Sequence, residues 1–283
     1  MKFALVNDKK QEAKPKTKGI CPKCKKDVIA KCGNIRVHHW AHIVDENCKN
    51  ERWENEGPWH QKWKNQFPEE WQEQPVPFNN EIHIADVKTP QGLVIEFQHS
   101  HIEPKEQNSR ELAYKDMMWV VDGMRLQNDF SRFEKNIHRK RKFIDKVNDK
   151  CKIYNLKLTR ETFPIAWLNS SVPVVFDFLG LEEIKNETPI LRKFLYVLLP
   201  LNTTKLYDSS VFLFYIPREE FIELIKNNEW QNLYSKILSK INDYVKVENI
   251  IKQKIINNDE EPYVYEEENN KKRRKRYFGR YNK

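Results

Sequence analysis

Residues 81–100, EIHIADVKTPQGLVIEFQHS, hold two alternating runs, 81–89 and 92–100, around a Pro-Gln-Gly turn, which is the pattern of a β-hairpin. Side chains alternate across a strand, so Val94, Glu96, Gln98 and Ser100 share one face, and Leu93, Ile95 and Phe97 the other. One face is expected to be core and the other to carry chemistry. An acid flanked by Ile95 and Phe97 stands on a strand whose opposite face is buried, and desolvating it without a partner is expensive. A bound cation offsets that cost. Asp86 and Glu96, from adjacent strands, are a suitable donor pair for Mg2+ or Mn2+, which prefer oxygen ligands and keep several waters.

Upstream, Trp59, Trp63 and Phe67 recur every four residues within 51–74 and predict a helix with an aromatic stripe, its main run ending at Pro68. Glu56, His60 and Lys64 follow the same spacing and project from one side of it. Glu56 is a candidate metal ligand, direct or through water, and His60 a candidate for positioning a water or phosphate. The bland reading of His60 is a packed histidine bonded to the backbone. Downstream, 103–117 reads as a helix opening with Pro104, and MMWVVDG (117–123) as a buried strand closed by Asp-Gly. Helix, strand, strand, helix, strand describes an α/β core with mixed pairing. Arg110 and Tyr114 face the same way on the second helix; Arg110 is placed to reach a phosphate or to orient Glu96, or is an ordinary surface charge. His99 and His101 flank Ser100 as candidate water or phosphate contacts.

The N-terminal segment has another logic. Cys21-Pro-Lys-Cys24 is a knuckle in which two thiolates meet one ion, and Cys32, His39, His42 and Cys48 follow within reach of a tetrahedral zinc site. The second ligand pair is expected to be His39 with His42, or His39 with Cys48. A stretch so poor in large aliphatics needs a metal to fold. Four protein ligands leave no open position, so the expected role is structural or DNA-docking. Five cysteines, an odd number, argue for a reducing compartment rather than a disulfide framework.

The net charge of +9 is uneven: 271–283 carries eight Lys/Arg, among them Arg273, Arg274 and Arg276, and no acid. Basic termini around an acidic middle suit a polyanion, with a local acidic site for metal. Residues 130–158 read as a basic helix, 172–179, 194–201 and 211–216 as strands, 219–256 as helices, and 259–268 with the basic tail as disordered. No run approaches ~18 apolar residues and no export signal opens the chain, so a cytoplasmic protein with no membrane span is expected.

The motifs CPKC, AKCG, HHWAH, ENEGPWHQKWK, IADVKT, IEFQHS, SRELAY and WVVDG, in that order across about residues 3–125, resemble the competence protein CoiA-like family, regarded as PD-(D/E)xK nucleases with an N-terminal zinc-ribbon-like piece. The resemblance implies an α/β, restriction-endonuclease-like core with a mixed sheet flanked by helices. It implies a zinc-binding module at 1–50 and a nuclease core at 51–125; beyond it, the apolar and charged runs read as an α/β extension at 126–258 and a tail at 259–283. It also implies Asp86 and Glu96 as Mg/Mn ligands, with Glu56 and His60 matching the family's helix motif. Gln98 stands where most such enzymes carry lysine, so positive charge must come from Lys64, Arg110 or a second cation. Gly57-Pro58 departs from the family's pattern and puts Glu56 at the helix's N-terminal edge. The expected activity is metal-dependent DNA hydrolysis in DNA uptake, recombination or defence against foreign DNA. Lys64, Arg110 and the tail arginines are the expected nucleic-acid contacts. The alternative is a non-catalytic DNA-binding or recombination-assisting protein with a degenerate centre. The C-terminal half is left for a second copy or a protein partner.

Overall fold

The computed structural model describes residues 1–34, 37–43, 57–79, 81–125, 128–157, 162–200 and 210–259. Five short strands come first: β1 (Phe3–Val6), β2 (Lys9–Glu12), β3 (Lys18–Ile20), β4 (Asp27–Lys31) and β5 (His39–His42). They form one antiparallel sheet in the order β2-β1-β3-β4-β5. Its core is small: Met1, Ala4, Ala13, Cys21, Val28 and Trp40. Gly19 fits where it does because a Cβ there would lie 3.0 Å from the Leu5 carbonyl and 3.2 Å from the Trp40 ring.

The chain then enters α1 (Pro58–Lys64), β6 (Gln72–Phe78), β7 (Glu81–Lys88), β8 (Val94–Gln98), α2 (Pro104–Ala113) and β9 (Met117–Asp122). The β7–β8 hairpin, the helix at Pro104 and the buried strand at 117–122 match the sequence expectation. The first helix is shorter than expected. Extended Gly57 precedes Pro58 at the helix start, where proline is favoured, and the helix ends at Lys64. Past Pro68 the chain forms β6, where Pro75 and Pro77 are tolerated because β6 is the edge strand and a missing N–H leaves no partner wanting.

Next come α3 (Asp129–Lys140), β10 (Arg141–Asn148), β11 (Cys151–Leu156), α4 (Ile165–Leu168), β12 (Val174–Asp177), β13 (Phe194–Leu198), β14 (Val211–Pro217), α5 (Arg218–Lys226) and α6 (Trp230–Asp259). The single basic helix expected over 130–158 is thus a helix followed by a hairpin. Its turn is made by Asn148, whose side-chain oxygen accepts the Lys150 and Cys151 N–H groups, the local bonding that draws asparagine into turns.

Nine strands form one sheet, β10-β11-β14-β13-β12-β9-β8-β7-β6, parallel only at β8/β9 and β9/β12. A mixed α/β sheet flanked by helices is therefore present. Its main core is aromatic, with Trp119, Phe133, Phe163, Phe176, Phe178 and Tyr196 all buried. Residues 1–242 form one compact unit, and the chain from Asp243 a second. Among the described residues no helix is long and apolar enough to cross a membrane. The tail with Arg273, Arg274 and Arg276 lies outside the described residues, as do Cys48 and Glu56.

Candidate functional site

The hairpin ladder between β7 and β8 pairs Val87 with Ile95 and Lys88 with Val94, and goes no further. The strands open at Asp86 and Glu96, and Asp86 Oδ2 accepts the Phe97 N–H at 2.9 Å. Trp63 and Phe67 of the preceding segment stack on Phe97, so α1 covers that face of β8. His60 and Lys64, one and two turns along α1, meet Asp86: His60 Nε2 lies 2.9 Å from Oδ2 and Lys64 Nζ 4.0 Å from Oδ1. Burial pushes the Asp86 carboxyl up. The charge and hydrogen bond of His60, Lys64 and the Phe97 N–H outweigh it and hold the group below the ordinary carboxylate range.

Lys64 is fully buried and also donates to Glu73 Oε1 at 2.8 Å. Glu73 sits on β6 with φ +44°, where the β6–β7 register skips the Glu73/Asp86 pair. Its carboxylate also accepts the N–H groups of Lys2 (2.6 Å) and Phe3 (2.9 Å), tying the N-terminal sheet to the large one. No spacing in EEWQEQ marked Glu73 in advance, because its partners come from residues 2, 3 and 64.

Glu96 lies on the other face of β8 by alternation and is 1% exposed. There Arg110 of α2 donates to Glu96 Oε2 at 2.6 Å and to Glu106 at 2.8 Å. Of the two roles read for Arg110, orienting Glu96 is the one the geometry displays. The expectation that one face of this strand is core and the other chemistry is corrected: all five residues of β8 are buried, because Val94 packs with Ala113, Met117 and Trp119 beneath α2. Gln98 is buried as well and donates to Ser100 O at 3.1 Å. Tyr114 packs edge-on against His83, and exposed His101 lies 3.7 Å from Glu103.

Two carboxylates suit a hard divalent cation in their chemistry. The geometry does not yet suit one. Asp86 is engaged by His60 and Lys64, Glu96 by Arg110, and among the described residues these groups do not converge into a metal-sized cluster. Lys64 and Arg110, expected at the nucleic acid, are instead held inside ion pairs with side chains 0% and 14% exposed.

Asp177 at the end of β12 anchors α1. Its Oδ2 accepts from Trp59 Nε1 (2.9 Å) and Trp63 Nε1 (3.0 Å) and pairs with Arg218, and Oδ1 takes the Leu179 N–H at 3.0 Å. Every partner is in place, so Asp177 serves to fix the helix that carries His60 and Lys64.

In the N-terminal sheet, the chain leaves β3 into a tight turn in which Lys25, at φ +60°, donates its N–H to the Cys21 carbonyl and Cys21 donates to Lys26 O. That turn brings Cys21 and Cys24 together. His42 at the end of β5 completes the group, with Nε2 3.2 Å from Cys24 Sγ and the three ligand atoms within 4.8 Å of one another. Thiolates and imidazole are zinc's preferred donors, and this group could hold such an ion. The expected role of His39 is corrected. Residues three apart on a strand face opposite ways, and His39 Nδ1 bonds to Val37 O at 2.8 Å. Cys32 contacts Ala13 O and stands outside the group.

Residues 5–51 match the family model of the competence protein CoiA N-terminal domain. The match covers the Cys-Cys-His group and stops before α1. No curated protein matches the chain, and no solved structure does. The CoiA-like segment is thus the part of the molecule with a recognised relative, and the nine-stranded sheet stands on its own geometry.

Proposed function

We propose that the protein acts on DNA in a competence-related process of uptake or recombination, and that its α1–β7–β8–α2 centre is a metal-dependent nuclease centre of the PD-(D/E)xK kind. The observation that carries this reading is the opening of the β7–β8 ladder at Asp86 and Glu96, with His60 and Lys64 of α1 meeting Asp86 and Arg110 of α2 meeting Glu96. So many buried charges are a poor way to stabilise a fold, since desolvation offsets much of their attraction. Perturbed acids with dedicated partners are more common where chemistry is done. The CoiA-like N-terminal match supports the competence context. In this reading Asp86 and Glu96 are the ligands of Mg2+ or Mn2+, His60 and Lys64 hold Asp86 ionised, and the Cys21, Cys24 and His42 group carries structural zinc. Buried Gln98 orders the end of β8 through Ser100.

One observation favours a second reading. Both acids are already engaged by protein side chains, Asp86 by His60 and Lys64 and Glu96 by Arg110, as in a degenerate centre of a non-catalytic DNA-binding protein. The deciding experiment incubates the purified protein with linear, circular and single-stranded DNA, with and without Mn2+, beside Asp86→Ala and Glu96→Ala. The nuclease reading expects Mn2+-dependent cleavage that both variants lose while remaining folded. Absence of cleavage by the wild-type chain leaves the second reading standing, and full activity in both variants rules out this centre as the seat of cleavage.

A further inference from the structure

Strands β8, β9 and β12 run parallel and end together, with Gln98 beside Val121 and Asp122 beside Asp177. The carboxyl ends of parallel strands are where open α/β sheets collect ligands. A cleft lies there, lined among others by His99, Ser100, Asp122, Arg125, Asp129 and Thr162. Asp122 is buried and holds His99: its Oδ2 is 2.7 Å from Nδ1, while Oδ1 takes the Met124 N–H. A carboxylate on Nδ1 fixes the ring's orientation and leaves Nε2 for a ligand. The His99 side chain is 50% exposed, so that nitrogen is within reach of something entering the cleft.

Helix α3 starts at this cleft with Asp129. Its Phe133 and Ile137 are buried, and Arg132, Lys135 and Arg139 lie on its exposed side at i, i+3 and i+7. Arg132 also pairs with Asp129, exposed Glu134 interrupts the positive surface, and exposed Lys142 extends it onto β10. From Arg132 to Arg139 the helix rises ~10 Å at ~1.5 Å per residue, a length equal to about three base-pair steps along a duplex axis at ~3.4 Å each. Buried Lys64 is taken up by Glu73 and Asp86, and Arg110 by Glu96 and Glu106, which leaves Arg132, Lys135 and Arg139 as an exposed basic track. We propose that DNA lies along α3 and seats one backbone phosphate in the cleft against His99 and Arg125. Phosphate oxygens accept hydrogen bonds from the guanidinium, ammonium and imidazole groups. The inference rests on DNA being the ligand, as in the reading above, and not on its cleavage.

The test uses the full chain in EDTA with fluorescent single-stranded and duplex oligonucleotides, titrated across a range of salt. R132E/K135E/R139E should bind on the order of a hundredfold more weakly near physiological salt, with a log K against log salt slope shallower by about 2 to 3. In nitrogen-15 spectra of the histidine rings, saturating DNA should move His99 Nε2, and H99Q should weaken binding severalfold. Three exposed substitutions leave the fold intact, which circular dichroism verifies. Wild-type affinity and slope in the triple variant, an unmoved His99 ring in DNA-saturated protein, or no binding by the wild-type chain would each overturn the proposal. Cleavage is assayed separately in Mn2+. Binding through α3 without cleavage sinks the nuclease reading alone. Cleavage that Glu96→Ala abolishes and the triple variant retains at limiting DNA sinks the α3 track alone.

Discussion

The two sheets of this protein hold themselves together by different means. The N-terminal sheet has a core of five small or medium residues and one tryptophan, and it gathers two thiols and an imidazole at its end. The nine-stranded sheet is filled by tryptophan, phenylalanine and tyrosine, and it holds buried Lys64 between Glu73 and Asp86 and buried Glu96 against Arg110. A small sheet has too little apolar area to offset its chain entropy and so depends on a metal. A large one has stability to spare, and can hold charges whose desolvation is costly.

The sharpest way to break this contrast is to remove the metal that the Cys21, Cys24 and His42 group could hold. With zinc bound there as proposed, chelation, or Cys21→Ser, should release it and abolish amide-exchange protection across β1–β5, since structural zinc contributes about 10 kcal/mol or more in small domains. Strands β8 to β14 should stay protected. Protected β1–β5 amides in zinc-free protein would show that the small core suffices.

A smaller loss is expected where the two sheets are joined. Glu73→Gln removes the charge that faces Lys64 and weakens acceptance of the Lys2 and Phe3 N–H groups, and should cost about 3–5 kcal/mol because it leaves a buried ammonium poorly compensated. Denaturant unfolding checks the size of the loss. An unchanged midpoint would mean that the N-terminal sheet and α1 are held by packing alone.

The smallest effect belongs to the surface of the large sheet. Glu111 of α2 accepts from Trp119 Nε1, Ser170, Ser171 and Gln107. Partial burial pushes its carboxyl up, and the Ser171 hydroxyl and N–H, with Gln107 and Ser170, pull it further down, so it titrates below its ordinary 4.5. A depressed acid stabilises above its unfolded value and loses that contribution as pH falls through the folded one. Glu111→Gln should therefore cost about 1 kcal/mol at neutral pH, little of it Coulombic at this partly exposed site. The difference from wild type should shrink in acid. A gap that stays constant down to strongly acidic pH would show that the ionised form of Glu111 contributes nothing.

Local alternation and proline placement were enough to read β7, β8, β9 and the start of α2, because those elements are long, periodic and cleanly punctuated. The aromatic stripe on α1 was legible in its direction but not its length. Strand β6 was hidden behind prolines that only an edge position tolerates, and β10 behind a run of basic residues that also suits a helix. In the metal group the Cys21-Cys24 knuckle could be read directly, whereas choosing His42 over His39 required knowing that β5 is a strand.

The sequence by itself determined which residues could do chemistry: the thiol pair, the acids on the hairpin, and the histidine and lysine spaced along one helix face. Only the tertiary structure decided what those groups touch. Asp86 meets His60 and Lys64, Glu96 meets Arg110, and Glu73 joins the set from a strand with no warning in its composition. The reason is physical: periodicity is a property of neighbours along the chain, while the partner of a buried charge is chosen by whichever distant segment packs against it.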